Sequence, residues 1–246
     1  MQGNKIILNN EKGSISWEAL KASKGDKGIL IAIDGLDGSG KATQSKLLVD
    51  YLKEHGEKAR LYSFPVYERP SSTLVKMFLA GEFGEDSIKV NHYAVSMTYA
   101  LDRYAEWKRD MEDFYNSGGI LICDRYISSN ALIQGIGIDN VSERRKFYDW
   151  CYETECRLFG LPEPDVTLLL LVHPETSVSL LNKRYDNDES RKDIIEGNIE
   201  HLTKVYNTAT EAARYCGWKV LECDRDGKIN SIEQVHSDIK KILGLF

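Results

Sequence analysis

Ile29-Leu30-Ile31-Ala32-Ile33-Asp34-Gly35-Leu36-Asp37-Gly38-Ser39-Gly40-Lys41-Ala42-Thr43 is an apolar run, then a glycine-rich turn, followed by the amphipathic segment Gln44–Leu52. Strand, loop and helix in that order are the context that the phosphate-binding pattern G-x-x-x-x-G-K-[ST] requires. The glycines let successive backbone N–H groups face a phosphate, and the helix N-terminus adds its positive end. Lys41 is then placed to reach the outer phosphates of a nucleoside triphosphate. Gly35, Asp37, Gly38, Ser39, Gly40, Lys41, Ala42 and Thr43 are the candidate phosphate-side residues. One position departs from the pattern: Ala42 stands where a Ser or Thr hydroxyl would meet magnesium.

Beyond this stretch the chain alternates. Apolar runs at Ile29–Ile33, Ala59–Tyr62, Ile120–Cys123, Val166–Val172 and Val220–Cys223 are separated by helical patterns, which predicts βαβ units with helices on both faces of a parallel sheet. Leu47, Leu48, Tyr51 and Leu52 form the stripe of the helix after the loop. A long helix carries Tyr93, Val95, Met97, Tyr99, Ala100, Leu101, Tyr104 and Trp107 and ends near Asn116-Ser117-Gly118-Gly119. Further helices are expected over Val141–Leu158, Glu175–Tyr185, Asp193–Tyr215 and Ser231–Leu243. Residues 1–27 read as an N-terminal extension with one short helix, Ser16–Ala22. Its Trp17 and Leu20 could pin it to the body or to a second subunit, or the segment could be loosely ordered. Residues 28–246 form the one expected domain.

With 246 residues, 42% of them hydrophobic, the chain can bury a sizeable core. A net charge of -6 and the lack of a long basic run argue against a nucleic-acid footprint. No stretch of about eighteen apolar residues is present and the N-terminus has no signal-peptide core, so no membrane partner is expected and a cytoplasmic location is. Five cysteines, without two pairs at zinc spacing, predict free thiols.

In an open α/β sheet, ligand-contacting side chains come from the carboxyl ends of strands. Those ends carry the phosphate loop, Ser63-Phe64-Pro65-Val66-Tyr67-Glu68-Arg69, Asp124-Arg125-Tyr126 and His173-Pro174. The arginine fork matches phosphate oxygens, so Arg69 and Arg125 at two strand ends predict a second phosphate-bearing ligand facing the first.

At this point the chain resembles the thymidylate kinase family of P-loop nucleoside monophosphate kinases, from about Gly28 onward. The resemblance rests on the phosphate loop, Phe64-Pro65, Ala100-Leu101-Asp102-Arg103, and Asp124-Arg125-Tyr126 with Ser129, Asn130 and Gln134 downstream. It implies a P-loop NTPase-type doubly wound five-stranded sheet, ATP and magnesium, transfer of the γ-phosphoryl group to thymidine monophosphate, and a homodimer. By position, Asp37 resembles the loop carboxylate near the acceptor phosphate and its metal ion, with Asp124 a second carboxylate for the metal. Tyr99 resembles the aromatic that stacks on the base, and Arg103 the helix arginine reaching base and phosphate. Arg125 resembles the arginine between the two phosphates, while Asn130 and Gln134 resemble residues of the base pocket; Phe64, Pro65 and Arg69 complete the acceptor side. Ile133 departs from the family, many members of which have an aromatic there beside the acceptor sugar.

The segment Lys183–Lys192 is charge-dense, lies between two helices, and resembles the family's lid (about residues 183–193), with Arg184 and Arg191 placed to close over the triphosphate. Alternatives remain at this stage: a deoxynucleoside kinase or other nucleotide kinase on the same scaffold, or a nucleotide-binding protein with weak turnover, for which Ala42 is the motive. A GTPase switch is disfavoured because no Asn-Lys-x-Asp segment follows a late strand.

Overall fold

The structure is a computed structural model that describes residues 16–36, 38–84, 89–184, 199–225 and 227–245, with the backbone alone at 180–184 and 201. Its elements run α1 (Trp17–Lys24), β1 (Ile29–Gly35), α2 (Lys41–Glu54), β2 (Ala59–Ser63), α3 (Thr73–Leu79), α4 (His92–Glu106), α5 (Glu112–Asn116) and β3 (Ile120–Asp124). They continue with α6 (Ile127–Ser129), α7 (Val141–Tyr152), β4 (Val166–Leu171), α8 (Pro174–Arg184), α9 (Ile199–Cys216), β5 (Lys219–Glu222), β6 (Asp224–Arg225), β7 (Lys228–Ile229) and α10 (Ile232–Leu243). Five strands form one parallel sheet in the order β2-β3-β1-β4-β5, as the alternation of runs and helices predicts. β1 is central and buried along its whole length, which is why its sequence is almost unbroken hydrocarbon.

Because strand side chains alternate, each strand feeds two cores. Leu30, Ala32, Leu121, Cys123, Leu169 and Leu171 face one layer, with Trp107, Met111, Phe147, Tyr148 and Ala209. Ile29, Ile31, Ile33, Ile120, Ile122, Leu168 and Leu170 face the other, with Leu48, Leu52, Val235, Ile239 and Leu243. The register Ile33↔Asp124 and Gly35↔Leu170 brings the carboxyl ends of β1, β3 and β4 level. The chain leaves β1 toward β2 and later crosses from β3 to β4 on the other side, so the crevice for ligands opens beside β1.

Two predicted helices are each interrupted. The long helix becomes a π-helical turn at Trp107–Met111 before α5, and α7 continues as another at Glu153–Leu158; a third spans Asn130–Gln134. Such turns insert a residue and re-aim side chains, and they concentrate at functional sites. The pair β6–β7 was not legible, since two-residue strands carry no period. All five cysteines are free thiols, in line with their odd number. No helix among the described residues is long and apolar enough to cross a membrane.

Of the alternatives for Ser16–Ala22, the docked one holds. Ser16 caps α1 by accepting from Ala19 N at 3.3 Å, and Trp17 and Leu20 are buried in the second core layer. Lys24 fastens the far end: its Nζ donates to Asp165 Oδ1 at 2.8 Å, while Asp165 Oδ2 accepts from Leu30 N at 2.9 Å. Trp17→Ala is therefore expected to cost about 3–5 kcal/mol of folding stability in urea unfolding. A loss below about 1 kcal/mol would mean that α1 is held by its ion pairs alone.

Candidate active site

The phosphate loop is shaped by its glycines. A side chain at Gly35 would come within 2.3 Å of the Leu170 carbonyl oxygen and 2.7 Å of Ser39 Oγ, so the loop closes against β4 only without one. Gly40, at φ +87°, is the N-cap of α2. Among the described residues no side chain caps that N-terminus, and no acidic residue occupies its first turn, an arrangement that suits an anion. Leu36 O accepts from Ser39 N at 3.2 Å and from Lys41 Nζ at 2.8 Å, folding the lysine back over the loop. Ser39 Oγ is buried and has no hydrogen-bond partner among the described residues. Ala42 and Thr43 are exposed at the start of α2. Asp37, the remaining loop position, lies outside the described residues.

Across the loop stands Arg125, with φ +67°, the one described non-glycine residue in the left-handed region. Its backbone N–H donates to Ile33 O at 3.0 Å, joining the ends of β3 and β1. Its Nη1 lies 3.7 Å from Asp34 Oδ1. Asp34 is fully buried and also accepts from Ser128 Oγ (2.9 Å), Ser129 Oγ (2.7 Å) and Gly35 N (3.0 Å), so one carboxylate ties the loop, the Asp-Arg-Tyr turn and the guanidinium together. A strained residue held by this many contacts is where function is sought. Asp124, one residue earlier, is half-buried, and its carbonyl accepts from Phe64 N at 3.0 Å.

The acceptor side is built on α4. Asp102, fully buried, accepts from Val66 N at 2.8 Å and Ser71 Oγ at 2.5 Å, which pins the loop carrying Phe64, Pro65 and the exposed Arg69. Tyr99 is half-buried. Burial first, then the neighbouring Tyr67, pushes its pKa up to about 12, with the charges of Arg125 and Arg103 acting the other way. Its ring is therefore neutral at physiological pH and sits within electrostatic reach of both arginines. Arg103 is buried: its Nε and Nη2 each donate to Glu155 at 2.6 Å. Burial opposes the Arg103 charge, but Glu155 outweighs it and the guanidinium pKa rises. Asn130 is buried beside them, donating to Glu155 Oε1 and to Ser96 O, both at 3.1 Å. Gln134 is buried in the same π-helical turn and Ile133 is exposed.

At the end of β4, His173 N and Nδ1 lie 3.1 and 3.0 Å from Asp224 Oδ1, which raises the imidazole pKa and ties β4 to the end of β5. The side chain of Arg184, and Arg191, lie outside the described residues, as does most of the predicted lid.

The structure thus ties Arg125 to Asp34 at the end of β1, puts Tyr99 within electrostatic reach of Arg125 and Arg103, and brings Arg103 and Asn130 together at Glu155, with the 64–69 loop pinned to the same helix through Asp102. Sequence reasoning missed Asp34, Glu155 and the part played by Asp102. Glu155 had a signal: a carboxylate in the stripe Tyr148, Cys151, Glu155, at the spacing of one helix face.

A family model described as thymidylate kinase matches residues 33–239. The thymidylate kinase of Schizosaccharomyces pombe is 30% identical, with 88% of this chain and 92% of that one covered. The human thymidylate kinase is 27% identical over 87% of this chain and 89% of its own. Among solved structures, thymidylate kinase from Candida albicans superposes with a TM-score of 0.60 at 22% identity, covering 88% of this chain and 91% of that chain, a likeness of fold.

Proposed function

Because the chain belongs to the thymidylate kinase family, we propose that it transfers the γ-phosphoryl group of ATP to thymidine monophosphate, giving the diphosphate, in the crevice beside β1. It is an ATP-dependent nucleoside monophosphate kinase. The observation that carries the site reading is Arg125, whose guanidinium lies beside the buried Asp34 at the end of β1 and within electrostatic reach of Tyr99.

Phosphoryl transfer leaves the protein little covalent work, so the residues position the partners and stabilise charge. The N–H groups at the start of α2 and Lys41 hold the donor phosphates. Arg125 stands where donor and acceptor phosphates meet and neutralises charge on the group in flight. Tyr99 stacks on the acceptor base; Arg103, Asn130 and Gln134 line its edge, and Phe64, Pro65 and Arg69 close the acceptor side. The acceptor phosphate, with a second pKa of about 6, is already largely ionised near neutral pH, so no general base is needed. Arg184 and Arg191 belong to this reading as lid residues that cover the triphosphate and exclude water.

Magnesium accompanies ATP here. Asp124 supplies a hard oxygen beside the phosphate loop, with Asp37 the second carboxylate of the reading. Among the described residues no three His, Cys, Asp or Glu side chains form a cage. That donor set suits magnesium, which keeps several waters and leans on phosphate oxygens. Bound there, magnesium would supply neutralisation of the triphosphate charge. Ala42→Ser is expected to lower the magnesium concentration for half-maximal rate several-fold without altering acceptor preference; an unmoved magnesium titration would contradict this role for the position.

Two further points belong to the reading. Leu101 and Tyr104 leave an apolar row on the outer face of α4, and Leu74 and Leu158 are also exposed, which supports a homodimer. Five free thiols support a reducing, cytoplasmic setting. An acceptor panel tests the assignment: thymidine monophosphate should be the best substrate, and thymidine itself should not react. Phosphorylation of the nucleoside in place of the monophosphate would favour a deoxynucleoside kinase.

A further inference from the structure

Glu155 lies in the π-helical turn that continues α7, and both it and Arg103 on α4 are 1% exposed. Its Oε2 accepts from Arg103 Nε, and its Oε1 accepts from Arg103 Nη2 and from Asn130 Nδ2. Asn130 Nδ2 also donates to Ser96 O. A carboxylate and a carbonyl oxygen can only accept, so the amide atom facing both must be the nitrogen, with both of its hydrogens engaged. That leaves Asn130 Oδ1, an acceptor, without a partner among the described residues but not sealed from solvent. Arg103 is fixed the same way: Nε and Nη2 face Glu155, and Nη1, a donor, is not sealed either.

We propose that Glu155 is a positioning residue that sets base preference: one buried carboxylate locks Arg103 and Asn130 so that a donor and an acceptor stand together on the acceptor side of the crevice. The inference rests on the acceptor-side reading of those two residues given above. Thymine offers the matching edge, a carbonyl that accepts beside an N–H that donates, whereas cytosine offers an amino group beside a bare ring nitrogen. If Asn130 could turn over, the edge would suit either base. Core stability alone is a weak reason for the pair, since buried ion pairs are often replaceable by apolar side chains. Both Asn130 and Glu155 sit in π-helical turns, where a residue has been inserted into the regular helix.

Glu155→Gln keeps the shape but puts an N–H donor where one carboxylate oxygen stood, and that donor faces the N–H groups of Arg103 or Asn130, so the two side chains are no longer held in one arrangement. The ratio of kcat/KM for thymidine monophosphate to that for deoxycytidine monophosphate should fall at least about tenfold, with the KM for ATP within about twofold of wild type. A ratio unchanged within twofold would overturn the proposal. Asn130→Ala separates the two levels: if it leaves the ratio unchanged, the acceptor-side reading of Asn130 has failed and the proposal with it. If Asn130→Ala lowers the ratio and Glu155→Gln does not, the proposal alone has failed. Should Glu155→Gln not fold because the Arg103 charge is left buried, Glu155→Asp carries the test, since it keeps the charge but draws the carboxylate back from Arg103 and Asn130; a lowered ratio supports the proposal and an unchanged one overturns it.

Discussion

Lys41→Ala is expected to lower kcat by about 10²–10³-fold, the usual consequence of deleting one preorganised charge contact to a transferring group, while the protein stays folded. The lysine is the first residue of α2 and is buried over the loop, its ammonium 2.8 Å from the Leu36 carbonyl oxygen. It is thus held at the N-terminus of α2, which no described side chain caps and where the proposal seats the triphosphate. Its aliphatic stem contributes little to either core layer, so circular dichroism and urea unfolding should report a near-native fold. A variant with wild-type turnover would remove Lys41 from the site.

Arg125→Ala should bring a loss of similar size, about 10²–10³-fold in kcat, because it removes the guanidinium proposed to stand between the two phosphates. A second variant separates chemistry from backbone strain. At φ +67° a β-carbon is unfavourable, whereas glycine adopts this conformation readily. Arg125→Gly should therefore be as inactive as Arg125→Ala yet more stable than it, by about 1 kcal/mol. Equal stabilities would mean that the contacts of this turn, not the backbone, set its energy; retained activity in either variant would exclude the proposed role of the guanidinium.

The sheet was legible because each buried strand is written as a contiguous apolar run, and the phosphate loop because its chemistry is local: three glycines and a lysine within seven residues. What could not be read is set by contacts between distant parts of the chain. Asp34 looks like the polar last residue of a strand, yet its partners Ser128 and Ser129 come from another strand's end. Glu155 becomes meaningful only once α4 delivers Arg103 and the turn after β3 delivers Asn130 to the same place. The three π-helical turns escaped because periodicity averages over a helix and does not register a single inserted residue. In α1 the two apolar residues Trp17 and Leu20 make too short a stripe to separate docking from disorder; their burial in the core layer that holds residues of β1, α2 and α10 decides it. Arg103 shows the converse: its place in the motif was legible, but not that two of its three nitrogens face a buried carboxylate.

The central claim is direct phosphoryl transfer between two nucleotides held in one crevice. It is tested by incubating the purified chain with magnesium, thymidine monophosphate and ATP labelled at the γ-phosphate, and separating the nucleotides. The account predicts label in thymidine diphosphate only when both substrates are present, and none with Lys41→Ala on the same time scale. Label appearing as inorganic phosphate, with thymidine monophosphate unchanged, would contradict it.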